Sequence, residues 1–172
     1  RKSVLEIGCG DAFHSRLGQP GGEQLTGTDH DPLFIEDIEQ RCPSRWRPEA
    51  FVHNMLDGAT DSTYDAIYLL DVLEHVESED ESRFLTNILA SLDDEGMLII
   101  GMPSIQSQQY ASEISRMGHV NCKSGDELRQ LLEPLSSQVL VFSMNDEVVH
   151  TGYFPMSQYL IAIACVKKEK GL

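Results

Sequence analysis

A glycine pair directly after a short apolar run is the sharpest chemical signal in the sequence. The run Ser3–Ile7 is typical of a buried strand, and it stops at Gly8-Cys9-Gly10. Glycines at such a turn permit a tight bend and a close approach of a ligand to the backbone. A dinucleotide-binding turn would have a third glycine where Phe13 stands, and Asp11 adds a negative charge beside the pair. The turn therefore favours a cationic ligand without phosphates.

Polar residues end the next two predicted strands. Asp29 lies about twenty residues beyond the glycines, where a carboxylate can accept both hydroxyls of a ribose. The alternative is a turn or cap residue, since Asp29-His30-Asp31-Pro32 is turn-like in itself. Asn54 follows the third strand, where its amide could read a purine edge while Met55 packs on the base; a plain turn residue, or Asp57 in its place, is the alternative. Carboxyl ends of parallel strands meet at one edge, so one binding site is predicted there.

Two histidines are the candidates for proton transfer, because imidazole titrates near neutral pH. His75 follows Glu74 after the fourth predicted strand, and His119 lies between the fifth strand and the next helix. His150, between the last two strands, is a weaker third candidate. For each of them the alternative is a histidine that only orders its loop through a hydrogen bond.

A metal site is a second interpretation of the same segment. Asp71, Glu74 and His75 are spaced at i, i+3 and i+4, which would place them on one face if the segment were helical. Two carboxylates and an imidazole are suitable ligands for a divalent cation. His119 could then serve as a fourth ligand.

The elements that position these residues alternate between strand and helix, which is typical of a parallel sheet covered on both faces. Helices are predicted at about 13–18, after Asp31-Pro32, along the apolar stripe of 84–92, and after the capping box Ser124 to Glu127. The last two strands have no helix-length segment between them, so they are predicted to be antiparallel. The sequence predicts a doubly wound α/β fold with seven strands, mostly parallel and with an antiparallel last strand. The predicted strands are 3–7, 24–28, 50–53, 66–70, 97–102, 138–143 and 159–166.

Composition bounds the function classes. The 172 residues predict one domain, and 28 acidic against 13 basic residues give a formal charge of −15. This charge disfavours nucleic acid and anionic membranes as partners. The longest apolar run, 159–166, is far shorter than the ~20 residues of a membrane span. The four cysteines form no C-x-x-C pair, which favours reduced thiols in a cytoplasmic protein.

Together these motifs resemble those of class I S-adenosylmethionine-dependent methyltransferases. The resemblance rests on Glu6 to Gly10, on Gly27-Thr28-Asp29, on Asn54-Met55, on Asp71 to Val76, and on Glu95 to Ile100. It covers nearly the whole chain in order and is closest to small-molecule enzymes such as those of quinone biosynthesis. It implies a Rossmann-like fold and S-adenosylmethionine as the cofactor. The helices that often precede this core in the family are expected to be missing from these residues, which start at Arg1 without a methionine.

The resemblance also implies roles for the motif residues. The glycine turn would face the methionine part of the cofactor, Asp29 would bind the ribose, Asn54 and Met55 would hold the adenine, and Asp71 would lie below the sulfonium. The expected cofactor-binding residues are Glu6, Gly8, Cys9, Gly10, Asp29, His30, Asn54, Met55 and Asp71.

The expected reaction is methylation of a small molecule, and of oxygen rather than another atom because two histidines are available as bases. A metal-dependent RNA 2′-O-methyltransferase is one alternative, which the acidic charge disfavours. The other alternative is a module that binds the cofactor but has lost catalysis. The sequence carries no marker for the acceptor or for the oligomeric state.

Overall fold

Eight strands and four α-helices follow one another along the residues that the computed structural model describes, which are 2–10, 24–41, 49–145, 148–150 and 156–167. Two short 3₁₀ segments, Leu73–His75 and Ile105–Tyr110, lie between them. The strands are β1 Ser3–Ile7, β2 Gln24–Asp29, β3 Glu49–Val52, β4 Tyr64–Leu70, β5 Leu92–Pro103, β6 Ser136–Asn145, β7 Val148–His150 and β8 Tyr159–Lys167. The helices are α1 Pro32–Arg41, α2 Glu81–Ala90, α3 Glu113–Gly118 and α4 Gly125–Leu132.

The strands form one sheet in the order β3-β2-β1-β4-β5-β8-β6-β7. The five strands from β3 to β5 are parallel, and β8 pairs antiparallel with both β5 and β6. This confirms the predicted Rossmann-like sheet with its antiparallel last strand. The short β7, which pairs with the end of β6, was not predicted. Its three residues are too few to produce a readable alternation in the sequence.

The strand order reverses between β1 and β4, and this reversal positions the candidate site. From β1 the chain moves outward to β2 and β3, and it then returns to β4 on the other side of β1. Right-handed crossovers in opposite directions place α1 and α2 on opposite faces of the sheet. A crevice opens where the order reverses, at the carboxyl ends of β1 and β4, and ligands of open α/β sheets bind there.

Two hydrophobic clusters hold the helices against the sheet. The larger one joins the central strands to α2 and α4, and Leu5, Ile67, Ile88 and Leu128 are completely buried in it. The smaller one, made of Cys9, Ile35 and Ile38, joins α1 to the glycine turn. Separate clusters on the two sides agree with helices on both faces of the sheet.

Two helix starts have the caps that the sequence predicts. The Asp31 carboxylate accepts a hydrogen bond from the amide of Leu33 at 2.9 Å, directly before α1. At α4, the Ser124 hydroxyl accepts from the Glu127 amide and the Glu127 carboxylate accepts from the Ser124 amide, which is a complete capping box. The helix predicted at 13–18 lies outside the described residues.

None of the helices in the described ranges is long and apolar enough to cross a membrane. Cys9, Cys122 and Cys165, the three cysteines among the described residues, form no disulfide with one another.

Candidate functional site

The glycine turn is held between the ends of β2 and β4. Gly8 and Gly10 have φ angles of 75° and 51°, which side chains rarely tolerate. The amides of Gly8 and Cys9 both donate to the carbonyl of Thr28, at 2.8 and 3.1 Å. A Cβ atom at Gly8 would overlap Cγ2 of Val72, which follows β4. Both the backbone angle and the contact with Val72 therefore require glycine at position 8.

Asp29 anchors the turn from the end of β2. One carboxylate oxygen accepts from the Gly10 amide at 3.0 Å, and the other accepts from the Asp31 amide at 3.0 Å. The residue is 6% exposed, and Nδ1 of the exposed His30 lies 3.3 Å from the carboxylate. Each carboxylate oxygen has a second lone pair, so Asp29 can still accept hydrogen bonds from a ligand.

Glu6 and Cys9 are both buried, but their side chains contact different parts of the structure. Glu6 is buried at the end of β1 and is bonded by the hydroxyl of Tyr68 on β4. Burial, and then the charge of Glu6, raise the pKa of that tyrosine, so the hydroxyl stays protonated. The side chain of Cys9 packs in the smaller cluster beside Ile35 and Ile38, and its thiol lies 3.9 Å from the carbonyl of Gly10.

Asn54 and Met55 form a turn after β3. The Asn54 side-chain oxygen accepts from the amide of Leu56 at 3.0 Å, as the turn interpretation predicts. Met55 is 1% exposed and lies in the larger cluster, and its carbonyl accepts from the side-chain amide of Asn87 at 2.7 Å. The turn is thus fixed from both sides. The Met55 side chain is directed into the core and not outward, where it was expected to pack on a base.

Asp71 has an unusual backbone directly after β4. Its φ is 56°, a conformation that costs energy for a residue with a side chain, and its amide donates to Gly101 on β5 at 3.0 Å. The Tyr159 hydroxyl donates to the Asp71 carboxylate; burial, and then the charge of Asp71, raise the pKa of Tyr159. Because Val72 contacts Gly8, the exposed Asp71 stands beside the glycine turn.

Glu74 is the most unusual charged residue among those described. It is completely buried, and neither carboxylate oxygen has a hydrogen-bond partner in the described ranges. Burial raises the pKa of Glu74 to about 7, and the nearby charge of Asp71 adds to the increase. Nε2 of His75 lies 4.0 Å from the carboxylate, which is beyond hydrogen-bond distance.

His75 and His119 lie side by side, with ring centroids 5.2 Å apart and the planes at 70°. Nδ1 of His75 is 2.8 Å from the carbonyl of Gly118, and Nδ1 of His119 is 2.9 Å from the side-chain oxygen of Gln108. Burial and the neighbouring His75 lower the pKa of His119, which favours its neutral form. The structure therefore brings both predicted histidines to one place, whereas the side chain of His150 lies outside the described residues.

Glu74, His75 and His119 form a group in which one carboxylate oxygen and one nitrogen from each imidazole lie within 4.8 Å of one another. Asp71 is not in this group. The helix that would place Asp71 on one face with Glu74 and His75 does not form. The segment is a 3₁₀ turn limited to Leu73–His75, and Asp71 precedes this turn with a positive φ.

Three residues at the site were missed by sequence reasoning. Tyr68 and Tyr159 lie on strands, where an aromatic residue is ordinarily read as core. Gln108 is one of three glutamines in the polar segment Ile105–Tyr110, and nothing in the sequence distinguishes it from the other two. For Tyr68 alone, the predicted fold offered a signal. Parallel pairing of the neighbouring strands β1 and β4 places Tyr68 beside Glu6.

Comparisons with known proteins agree with this fold. A family model described as a methyltransferase domain matches residues 5–98, more than half of the chain. The mitochondrial ubiquinone biosynthesis O-methyltransferase of Schizosaccharomyces pombe is 27% identical over 103 residues, 58% of this chain and 37% of that protein. A probable S-adenosylmethionine-dependent methyltransferase of Mycobacterium tuberculosis is 26% identical over 104 residues, 60% of this chain and 36% of that protein. The chain thus spans little more than a third of the length of these curated relatives.

A solved structure extends the likeness in fold to nearly the whole chain. The N-methyltransferase NodS from Bradyrhizobium japonicum, in complex with S-adenosyl-L-homocysteine, has a TM-score of 0.68 at 20% identity and covers 96% of this chain and 78% of its own. The resemblance to class I S-adenosylmethionine-dependent methyltransferases is confirmed by the family match and the fold. The chain belongs to the family of methyltransferase domains.

Proposed function

We propose that this chain binds S-adenosylmethionine at the glycine turn and transfers its methyl group to a hydroxyl of a small molecule. The observation that carries the proposal is the turn itself. Its positive φ angles and its bonds to Thr28 and Asp29 fix its shape, and Gly8 is exposed, so backbone is accessible where a cofactor would lie. The family match and the name of the Schizosaccharomyces pombe relative, an O-methyltransferase, support the reaction.

The charges of the turn suit this cofactor. S-adenosylmethionine carries a permanent sulfonium, and Asp71 beside the turn and Glu6 below it provide negative charge on the side where the methionine part would lie. Asp29 would accept the ribose hydroxyls, with His30 at its edge. Asn54 would bind the adenine through its amide, while Met55, directed into the core, would support the turn from below.

Methyl transfer is a single in-line displacement, so alignment of donor and acceptor supplies most of the acceleration. A hydroxyl acceptor must also lose a proton, which a neutral imidazole can accept. Nδ1 of His75 donates to the carbonyl of Gly118, and Nδ1 of His119 donates to the oxygen of Gln108. In each neutral ring Nε2 then carries the lone pair, and we propose these atoms as the proton acceptors.

The proposed acceptor is a small molecule. We also propose that residues 1–172 form a single methyltransferase domain and that the protein acts in the cytoplasm. The net charge of −15 opposes binding of RNA, and four cysteines without a C-x-x-C pair favour reduced thiols in the cytoplasm. Methylation of RNA ends and cofactor binding without catalysis are the two other outcomes that the test distinguishes.

The test is calorimetric titration of the protein with S-adenosyl-L-homocysteine and S-adenosylmethionine. Asp29→Ala is expected to weaken both by at least about tenfold, because charge-assisted bonds to the ribose are lost. Asp37→Ala, at a carboxylate of α1 paired with Arg41, is the matched control and is expected to bind normally. Asp29→Asn separates the loss of charge from the loss of the bond to Gly10.

Turnover is then measured with a pool of small hydroxyl compounds and, separately, with RNA oligonucleotides. Methylation of the small compounds is the expected result. Failure of the unmodified protein to bind either cofactor form, or tighter binding of NAD, would refute the proposal. Binding without turnover on any acceptor would show a binding module, and methylation of RNA alone would show the rejected alternative.

A further inference from the structure

Asn121 is the first buried residue after a long stretch of the chain that is not buried. None of residues 105–120 is buried, and α3, within this stretch, buries no side chain. His119 lies near the end of the stretch, so close hydrophobic packing does not fix its position. Asn121, two residues later, is only 6% exposed although it is polar. The chain around His119 is therefore attached to the rest of the molecule through polar contacts.

The side chain of Asn121 joins this stretch to the start of α2. Its nitrogen donates to the Glu81 carboxylate at 2.7 Å, and its oxygen accepts from the Ser78 hydroxyl at 3.0 Å. The same oxygen accepts from the Lys123 ammonium at 2.8 Å. Lys123 and Glu81 also pair directly at 2.7 Å, and 14% and 13% of their side chains are exposed. Both ends of the amide thus have a charged partner with little access to solvent, which makes these hydrogen bonds stronger than those between neutral groups.

The backbone of Asn121 connects the segments that carry the two histidines. Its amide donates at 3.0 Å to the carbonyl of Glu74, which directly precedes His75. A second bond joins the same segments, between Nδ1 of His75 and the carbonyl of Gly118, which directly precedes His119. The two ring centroids are 5.2 Å apart. A displacement of Asn121 would therefore change the separation of the two rings.

We propose that Asn121 is a positioning residue, which fixes the separation of the His75 and His119 rings by holding the chain around His119 against the start of α2. The inference rests on the proposed function only where it assigns proton transfer to these rings, and the ring positions are measurable without turnover. In the described part of the chain, no hydrogen bond of Asn121 reaches the glycine turn or an imidazole nitrogen. Its effect on catalysis would therefore pass through the histidines, where a misplacement of about 1 Å can lower the rate by about 100-fold.

Three variants test this contact without changing either histidine. Asn121→Ala removes the donor and the acceptor together. Asn121→Asp keeps the acceptor for Ser78 and Lys123 but places a carboxylate against that of Glu81, where little solvent screens the repulsion. Asn121→Asp combined with Glu81→Gln exchanges the amide and the carboxylate between the two positions, so a donor again faces an acceptor. Ser124→Ala, which removes the cap of α4 three residues later, is the matched control.

The first readout is the NMR cross-peak between protons of the two imidazoles, with the histidine signals assigned from His75→Gln and His119→Gln. The unmodified protein and Ser124→Ala are expected to show the cross-peak. Asn121→Ala and Asn121→Asp are expected to lose it, and the double variant is expected to regain it. Circular dichroism checks that each variant is folded; if Asn121→Ala is not, Ser78→Ala, which removes a single bond to Asn121, takes its place and should weaken the cross-peak. Cross-peaks of equal strength in the folded single variants and the unmodified protein would overturn the proposal.

The second readout is kinetic, and it separates positioning from a general loss of structure. S-adenosyl-L-homocysteine is expected to bind every variant within about twofold of the unmodified protein, because none of the changed side chains bonds to the glycine turn. With the hydroxyl compound that the unmodified protein methylates fastest, kcat is expected to fall by about 10–100-fold in Asn121→Ala and Asn121→Asp, with little change in KM for S-adenosylmethionine. The double variant is expected to recover most of the loss.

A kcat that is unchanged in a variant without the cross-peak would overturn the catalytic part of the proposal, and so would a kcat as low in the double variant as in Asn121→Asp. If the unmodified protein methylates no hydroxyl compound, the proposed function fails. The cross-peaks still give the answer for Asn121 in that case, because they require neither cofactor nor acceptor.

Discussion

Replacing Glu74 by glutamine is expected to stabilise the metal-free protein, which is an unusual result for a change at a completely buried charged residue. The carboxylate has no hydrogen-bond partner in the described structure, and it lies near the like charge of Asp71. Glutamine has nearly the same shape and carries no charge. The substitution therefore removes the unfavourable burial of a charge without opening a cavity.

The size and pH dependence of the effect follow from the pKa of Glu74. Below pH 4.5 the carboxyl is protonated in the folded and unfolded chain, so the unmodified protein and Glu74→Gln differ little. Between pH 4.5 and about 7 only the unfolded chain ionises, so the unmodified protein loses stability as the pH rises. The difference between 4.5 and about 7 corresponds to about 3 kcal/mol in the free energy of unfolding, and the loss is complete above pH 7.

The assay is urea unfolding followed by circular dichroism in EDTA, at pH 5 and pH 8. Glu74→Gln is expected to be more stable than the unmodified protein by about 2–3 kcal/mol at pH 8 and by less than about 1 kcal/mol at pH 5. The exposed Glu77→Gln should change stability by less than about 0.5 kcal/mol at both pH values. A Glu74→Gln protein that is less stable than the unmodified one at pH 8 would show that the carboxylate has a partner and would refute this reasoning.

Three further outcomes test other parts of the structure. Gly8→Ala is expected to weaken S-adenosyl-L-homocysteine by more than about tenfold in calorimetry, since a Cβ at φ 75° would overlap Val72. Ser124→Ala should lower the free energy of unfolding by about 1 kcal/mol through loss of the capping box, and unchanged cofactor affinity is the check that the effect is local. Burial, and then the charge of Glu74, raise the pKa of Cys122 to about 11. The Cys122 thiol should therefore react with a disulfide reagent at pH 8 only after urea unfolds the chain. Rapid reaction of this thiol in the folded protein would contradict the prediction.

The fold was predictable because its signals are local. The glycine pair after β1, the Asp31-Pro32 start of α1 and the capping box of α4 each involve a few neighbouring residues, and each has the predicted structure. The antiparallel end of the sheet followed from the lack of a crossover segment between β6 and β8. The bounds were less accurate: β5 begins at Leu92, five residues before its predicted start, because acidic residues concealed the strand.

The candidate site was only partly predictable, because its decisive properties depend on contacts between distant segments. The sequence predicts chemical roles for Glu74, His75 and His119, but the burial of Glu74 follows from packing against the core. The roles of Gln108 and Tyr159 depend on how the chain after β5 and the start of β8 fold back over the sheet edge. No periodicity or spacing encodes such contacts.

The end of β4 links the two halves of the proposed site. Within five residues the chain passes from Asp71 and Val72, which stand against the glycine turn, to Glu74 and His75, which stand against His119. The turn is short because Asp71 reverses the backbone with a positive φ and is held by its amide bond to Gly101. In the proposed function, the backbone at this one position would therefore set the separation of methyl donor and acceptor. Asp71→Gly would keep the turn but remove the charge. Asp71→Ala would remove the charge and also make the positive φ unfavourable. The two variants together therefore separate the electrostatic contribution of Asp71 from its conformational contribution.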